Sequence, residues 1–336
     1  TQLLNAVYRY GGEVVKFAGD AVTAFFSAER VGANHADLAA TAALLMQTAM
    51  RDFAALATSR GTFPLRLRIT VHSGLVFMAE VGNEQHRELI VTGRAVHQVM
   101  VAQRYTGPAQ IVITPATRAR LTSATTVPLV PDLHLLHDLA ERPAGFEAPA
   151  ATAPAAALGL VTLLEMAARI VALRPYVPAG LSQRLAQLTH TTGEFRPVSV
   201  IFASMAAFTN ALALLEVTDV SEREIAIVQQ VLNSCYTRAQ TVLGYFGGSI
   251  NKVDMAMSGD RLMGLFGAPV AHEDDPTRAV KAALELRTAL YEVDCDTTTL
   301  LQTWRSIHSQ RVVQNARTAQ PLIGICLLYT SPSPRD

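Results

Sequence analysis

Asp20 is the residue that most demands a chemical account. It lies in GGEVVKFAGDAVTAFF, Gly11 to Phe26, where Val14, Val15, Phe17, Ala18, Ala21, Val22, Ala24, Phe25 and Phe26 are apolar. A carboxylate at a hairpin tip flanked by apolar strands can point into a cleft and hold a divalent cation. Oxygen ligands suit Mg²⁺ or Mn²⁺, which usually take one or two carboxylates together with substrate phosphates. Aspartate is also a common turn residue, because its side chain bonds the nearby backbone, so a plain turn role stays open beside the metal role. The chain carries a second copy of the pattern, GGSINKVDMAMSGDRLMGLFGA, Gly247 to Ala268. Both copies open on Gly-Gly, both place a lysine four residues after the second glycine (Lys16, Lys252), and both carry Gly-Asp before an apolar strand. Asp260, the acid of the second copy, lies eight residues after its lysine where Asp20 lies four after Lys16, and it reads as a surface turn acid.

The elements that must position these residues also repeat. After the first Gly-Asp strand comes HADLAATAALLMQTAM, and after the second HEDDPTRAVKAALELRTAL, each a helix with a polar first turn and apolar residues at helical spacing. The acids in those first turns (Asp37; Glu273, Asp274, Asp275) suit the positive end of a helix and need no further role. PLRLRITVHSG alternates Leu65, Leu67, Ile69 and Val71 against polar residues, which predicts a strand with one buried face. LVFMAEVG and RELIVTG predict two more strands, RAVHQVMVAQRYT a helix, QIVIT a strand, and PATRARL a short helix with proline in its first turn. FRPVSVIFASMAAF opens the second copy with a strand alternating Val198, Val200 and Phe202. Strands pairing as hairpins between helices imply an α+β fold, an antiparallel sheet covered on one face, with a ferredoxin-like order.

Composition sets the outer limits. A chain of 336 residues with 50% apolar content supports two domains with cores of ordinary size. A net charge of zero leaves no electrostatic footprint for nucleic acid or an anionic membrane. Cys235, Cys295 and Cys326 show no metal or redox spacing and read as reduced thiols of a cytoplasmic protein. The longest apolar stretch, from Ala151 to Gly180, is interrupted by Pro154, Glu165 and Arg169, and it reads as a linker with an amphipathic helix and not a membrane span. LLYTSPSPRD, 327–336, reads as a non-native tail. The expected plan is a first domain over 1–140, a linker over 141–192 and a second domain over 193–325, with the first strand of domain one lying before Thr1 and domain two cut short.

YGGEVVKFAGDAVTAFF, followed by a helix, the R-x-R-I-T-V-H-S-G strand and V-T-G-R-A-V, resembles the first catalytic domain of class III nucleotide cyclases. The similarity is to the soluble, bicarbonate-responsive adenylyl cyclase type and its bacterial relatives. GEFRPVSVIF with GGSINKVDMAMSGDRLMGLFGAPVAHEDDPTRAVKAALEL resembles the second domain of the same tandem proteins. The resemblance covers nearly all of residues 1–325. It implies two ferredoxin-like cyclase homology domains paired pseudo-symmetrically within one chain, with ATP bound at their interface and converted to cyclic AMP and pyrophosphate.

By that resemblance two aspartates of the first domain hold two Mg²⁺ or Mn²⁺ ions. Asp20 matches the second, and the first would lie on the strand before Thr1. Lys252 matches the lysine that donates to the adenine ring nitrogen; a solvated strand lysine is the lesser alternative. Ser204 stands where a metal aspartate of the second copy would be. His97 and Val101 stand at the places of the asparagine and arginine that stabilise the transition state. Those two must then come from the second domain, beyond this chain's end, so the fragment is expected to be inactive. Lys16, Val91 and Met255 match a regulatory anion pocket. Met100 replaces its arginine, which leaves a bound carbonate on Lys16 alone and costs one charge-assisted contact. Met257, Ser258 and Gly259 replace an Asp-Lys-Gly run of close bacterial relatives. The alternative to a cyclase is a non-catalytic nucleotide-binding or regulatory module attached to an ATPase or repeat region.

Overall fold

The computed structural model describes residues 2–18, 20–146, 160–177, 181, 195–212, 214, 221–256, 259–307 and 323–328. In chain order the elements are α1 (Gln2–Arg9), β1 (Glu13–Ala18), β2 (Ala21–Phe25), α2 (Ala28–Val31), α3 (His35–Ala49), β3 (Leu56–Thr58), β4 (Gly61–Phe63), β5 (Ile69–Val71), β6 (Phe77–Gly82) and β7 (Arg87–Thr92). There follow α4 (Arg94–Gln103), β8 (Ile111–Ile113), α5 (Pro115–Arg118), β9 (Ala124–Val130), β10 (Leu133–Leu139) and α6 (Leu160–Leu173). The last part holds β11 (Val198–Ser204), α7 (Ala206–Leu212), α8 (Glu222–Tyr245), β12 (Ser249–Ala256), β13 (Gly259–Phe266), α9 (Asp275–Ile307) and β14 (Ile323–Leu328). Two compact units form: residues 1–77 with 91–157, and residues 78–90 with 158–336.

The second unit shows the ferredoxin-like arrangement most fully. Its sheet runs β12-β13-β11-β14 with every neighbouring pair antiparallel, and α8 and α9 pack beside each other. Its core is built from side chains with essentially no exposure, including Val200, Ile201, Phe208, Leu232, Tyr236, Leu243, Leu262, Phe266 and Leu286. The alternation foreseen at Val198–Phe202 is a seven-residue strand, paired along Ser199–Ser204 with Phe266–Arg261. Helix α8 starts at a capping box: Ser221 Oγ accepts from Glu224 N–H while the Glu224 carboxylate accepts from Ser221 N–H.

In the first unit the hairpin β1–β2 forms its own two-stranded sheet, and β5-β8-β10-β9 a second sheet. Helix α3 joins them. On one side Met46 packs with Ala6 and Val7 of α1, with Val14, Ala24, Phe26 and Ile69 around them. On the other, Ala40, Ala43 and Leu44 pack on Ile111, Ile113, Leu136 and Leu139. Among the described residues β2 pairs with β1 alone and β5 with β8 alone, whereas β11 in the second unit lies between β13 and β14.

The Gly-Gly repeat has a physical cause visible twice. Gly11 and Gly247 have φ of +75° and +81°, the left-handed region that a side chain disfavours. A Cβ on Gly12 would lie 2.6 Å from Phe26 Cζ, and one on Gly248 would lie 2.5 Å from Phe266 Cζ. One glycine therefore turns the chain, and the next lets the aromatic ring at the far end of the hairpin lie on bare backbone.

Several expectations need correction. PLRLRITVHSG forms a strand only over Ile69–Val71, and β5 runs parallel to β8, so the first unit's sheet is mixed. Leu65 is exposed, and the backbone on either side of Arg68 is used by loop contacts: Leu67 C=O accepts from Ala109 N–H, and Ile69 N–H donates to Gln110 C=O. Asp37 sits in the first turn of α3 as expected, but it has a further role. It is buried, and its carboxylate accepts both Thr122 N–H (3.1 Å) and Thr122 Oγ1–H (2.6 Å). The expected amphipathic linker helix forms as α6, yet its described side chains from Leu163 to Leu173 are exposed on every face. The hairpins β3–β4 and β9–β10 were not foreseen. Asp132, at φ +67°, makes the turn of the second, and Pro128 is accommodated because β9 is the sheet edge.

Candidate functional site

The hairpin β1–β2 presents Asp20 at its tip, exposed, between Ala18 and Ala21, which face each other in the register. The pairing slips by one residue between Val14 and Lys16, and the hairpin β12–β13 slips at the equivalent place, between Ile250 and Lys252. A bulge re-aims the side chain that follows it. Both bulges immediately precede the repeated lysine, and Lys16 and Lys252 are both half-buried. The spacing of Gly-Gly to lysine is thus the spacing from a turn to a bulge.

Asp20 and Lys16 belong to the first unit, as do Val91, half-buried at the end of β7, and Met100, half-buried on α4. Lys252 belongs to the second, as does Met255 on β12, whose side chain lies outside the described residues, as do Met257 and Ser258. His97 is exposed on α4. Among the described residues no group of three or more His, Cys, Asp or Glu side chains gathers as a metal site. Asp20 therefore offers one carboxylate and not a complete shell. A single exposed carboxylate fits a Mg²⁺ or Mn²⁺ ion that shares its remaining positions with water and nucleotide phosphates.

Asp260 is not a surface turn acid. It is buried in β13, its carbonyl accepts Met205 N–H, and its own N–H donates to Thr209 Oγ1. The second hairpin stays paired further beyond its lysine, to Ala256 with Gly259 where the first ends at Ala18 with Ala21, so Asp260 lies within the paired strand opposite Met255.

Ser204 ends β11 and borders a small crevice with Cys235, Leu290 and Asp294. Burial pushes the Cys235 thiol up to about 12, so it is an unreactive core group. Asp294, from α9, is buried, and its Oδ1 has no hydrogen-bond partner among the described residues. Desolvation raises its pKa. A carboxyl whose folded pKa lies above its unfolded value stabilises the fold most below that unfolded value, and the contribution falls as pH rises through the folded pKa. Asp294→Asn should therefore raise the melting temperature at pH 7, and the gain should vanish near pH 3. Thermal unfolding at the two pH values checks this; an unchanged or lower melting temperature at pH 7 would count against a buried, costly charge.

Residues that the sequence did not single out surround the body of hairpin β6–β7, which groups with the second unit. Asn233, Tyr236 and Gln240 line one face of α8 at spacings of three and four. Asn233 Oδ1 accepts Gly82 N–H at 3.0 Å, and Gln240 Nε2 donates to Asn83 Oδ1 and to His86 C=O, both at 3.1 Å. Tyr236 has no exposed surface and its hydroxyl lies 3.4 Å from His86 Nδ1. Burial, with the charge and hydrogen bond of Glu88, holds the Tyr236 phenol protonated, and burial lowers the pKa of His86. The three helix positions were legible only as polar residues on a helix, which is the commonest surface pattern.

A repeated α+β unit of ferredoxin-like order, with a bulged lysine in each Gly-Gly hairpin and an aspartate at the tip of the first, is the class of fold that the chain presents. No family model matches the sequence. The chain is 23% identical over 305 residues to adenylate cyclase type 10 of Homo sapiens, covering 84% of this chain and 18% of that protein. The protein of the same name from Oryctolagus cuniculus matches at 23% over 303 residues, with the same coverage of 84% and 18%. Among solved structures, a class III adenylyl cyclase-like ATP-binding protein from Pseudomonas aeruginosa superposes with a TM-score of 0.50 at 13% identity, over 96% of this chain and 65% of that one. That last similarity speaks for the fold alone. In sequence the chain is thus similar to adenylate cyclases and in fold to a class III adenylyl cyclase-like protein, and it spans 18% of the length of the curated relatives it matches.

Proposed function

We propose that the intact protein converts ATP to cyclic AMP and pyrophosphate, with Asp20 serving the metal and Lys252 the base. The observation that carries this reading is the paired hairpin: each copy bulges before a lysine, and only the first keeps a carboxylate at an exposed tip. In the reaction the ribose 3′-oxygen forms a bond to the α-phosphorus, the bond from that phosphorus to pyrophosphate breaks, and the 3′-hydroxyl proton departs. Asp20 would hold Mg²⁺ or Mn²⁺, which when bound lowers the pKa of a coordinated hydroxyl and offsets phosphate charge. Lys252 carries only donors and would donate to adenine N1, an acceptor; guanine N1 is a donor and would meet it unfavourably. Lys16, Val91, Met100 and Met255 are the candidates for a regulatory anion response, with Lys16 the cation among these four.

The same reading places the protein in the cytoplasm, with further ATPase or repeat regions attached. No helix among the described residues is long and apolar enough to cross a membrane, and the curated relatives are much longer than this chain. A purely regulatory, nucleotide-binding role is the second reading, favoured by Met257 and Ser258 in place of the acid and lysine of close bacterial relatives and by Met100 in place of the anion-pairing arginine. Incubating the purified intact protein with ATP or GTP and Mg²⁺ or Mn²⁺, then separating the nucleotides, decides between them. Cyclic AMP and pyrophosphate in equal amounts are expected. Nucleotide binding without either product would overturn the catalytic reading in favour of the regulatory one.

A further inference from the structure

We propose that Glu88 is a positioning residue for Lys252, an inference that rests on Lys252 being the base-reading lysine. Glu88 lies on β7, in the segment 78–90 that packs as part of the second unit. Its Oε1 accepts the backbone N–H of Val253 at 3.2 Å, one residue beyond Lys252. Strand β12 is the edge of its sheet, and the bulge before Lys252 interrupts its pairing to β13. An edge strand next to a bulge has fewer ladder bonds to define its path. A carboxylate on the adjacent main-chain N–H supplies a charge-assisted bond at that place.

Glu88 is itself held. The turn between β6 and β7 is clamped to α8 by Asn233 and Gln240, at Gly82, Asn83 and His86. Tyr236, buried on the same helix face, interacts with the Glu88 carboxylate. The Val253 side chain is buried on the core side, so Lys252, its neighbour along the strand, projects to the opposite face. Fixing Val253 N–H therefore fixes the direction in which Lys252 leaves the sheet. Glu88 does this through the backbone, without touching a base.

The test is made on the intact protein with Glu88→Ala, Glu88→Gln and Lys252→Ala. Amide hydrogen exchange at Val253 should accelerate about tenfold in E88A and stay near wild type in E88Q, whose side-chain carbonyl still accepts. The ratio of affinities for fluorescent N-methylanthraniloyl ATP and GTP should fall about tenfold in E88A and little in E88Q, and E88A should add nothing once Lys252 is alanine. Glu88→Met, similar in length but without an acceptor, replaces E88A if that variant unfolds. Unchanged Val253 exchange in the acceptor-free variant overturns the inference. So does faster exchange with an intact ATP preference in a protein whose preference K252A does remove. An ATP preference that K252A leaves untouched instead overturns the base-reading role of Lys252, and the positioning role falls with it.

Discussion

Asp20→Ala in the intact protein should reduce cyclic nucleotide formation about a thousandfold or more while leaving the fold intact. Asp20 is exposed at a hairpin tip, and the residues on either side pair with each other through the backbone, so truncating it removes neither packing nor a ladder bond. Exposed substitutions of that kind stay within about 0.5 kcal/mol of wild-type stability. The catalytic cost is of another order. A cation that stabilises charge in a transition state contributes several kcal/mol, and about 4 kcal/mol corresponds to roughly a thousandfold in rate. Asp20→Asn should recover little, because an amide oxygen brings no charge to the cation. The measurement is cyclic AMP production beside thermal unfolding of the same samples. A variant with normal turnover would return Asp20 to an ordinary turn residue, and one that melts far below wild type would point to a structural role that the exposure does not suggest.

The second large effect belongs to Lys252. Lys252→Glu exchanges a group that only donates for one that only accepts, at the position proposed to meet the base edge. Adenine N1 would then face a carboxylate, acceptor against acceptor, while guanine N1–H would find a partner. A site built to hydrogen-bond one edge rejects the other strongly, because its polar groups are otherwise left unpaired. ATP affinity should fall by at least about tenfold, and the ATP-to-GTP ratio should move toward GTP. Competition binding with both nucleotides reads the ratio directly. An unchanged ratio in a folded variant would remove Lys252 from the base site and leave it a strand lysine after a bulge.

The candidate site was legible in unequal parts. The repeat of Gly-Gly, lysine and Gly-Asp could be read by comparing two stretches of one chain, and each glycine has a local reason to be where it is: a left-handed φ at Gly11 and Gly247, ring contacts at Gly12 and Gly248. Asp260 misled because Gly-Asp looks the same in a tight turn and in a strand; only the register, with pairing that continues to Ala256 and Gly259, puts the second acid inside the sheet. Asp37 misled for the opposite reason. Its position in the first turn of α3 suffices for a charge–dipole account, but Thr122, 85 residues away, takes both carboxylate oxygens. Glu88 gave no signal at all, since one acid in a strand of alternating residues is the usual solvent-facing pattern.

By itself the sequence determined the α+β class, the two copies, the hairpins that carry Asp20 and Lys252, and the helices that follow them. These rest on local physics: the period of apolar residues, the conformational freedom of glycine, the turn chemistry of aspartate. The tertiary structure alone decided that residues 78–90 pack with the second unit, that β5 runs parallel to β8, and that Glu88 reaches the backbone beside Lys252. Those depend on which strand edges and helix faces meet across long stretches of chain, 165 residues between Glu88 and Val253. Periodicity specifies that a face is apolar or polar, and only packing selects what it meets.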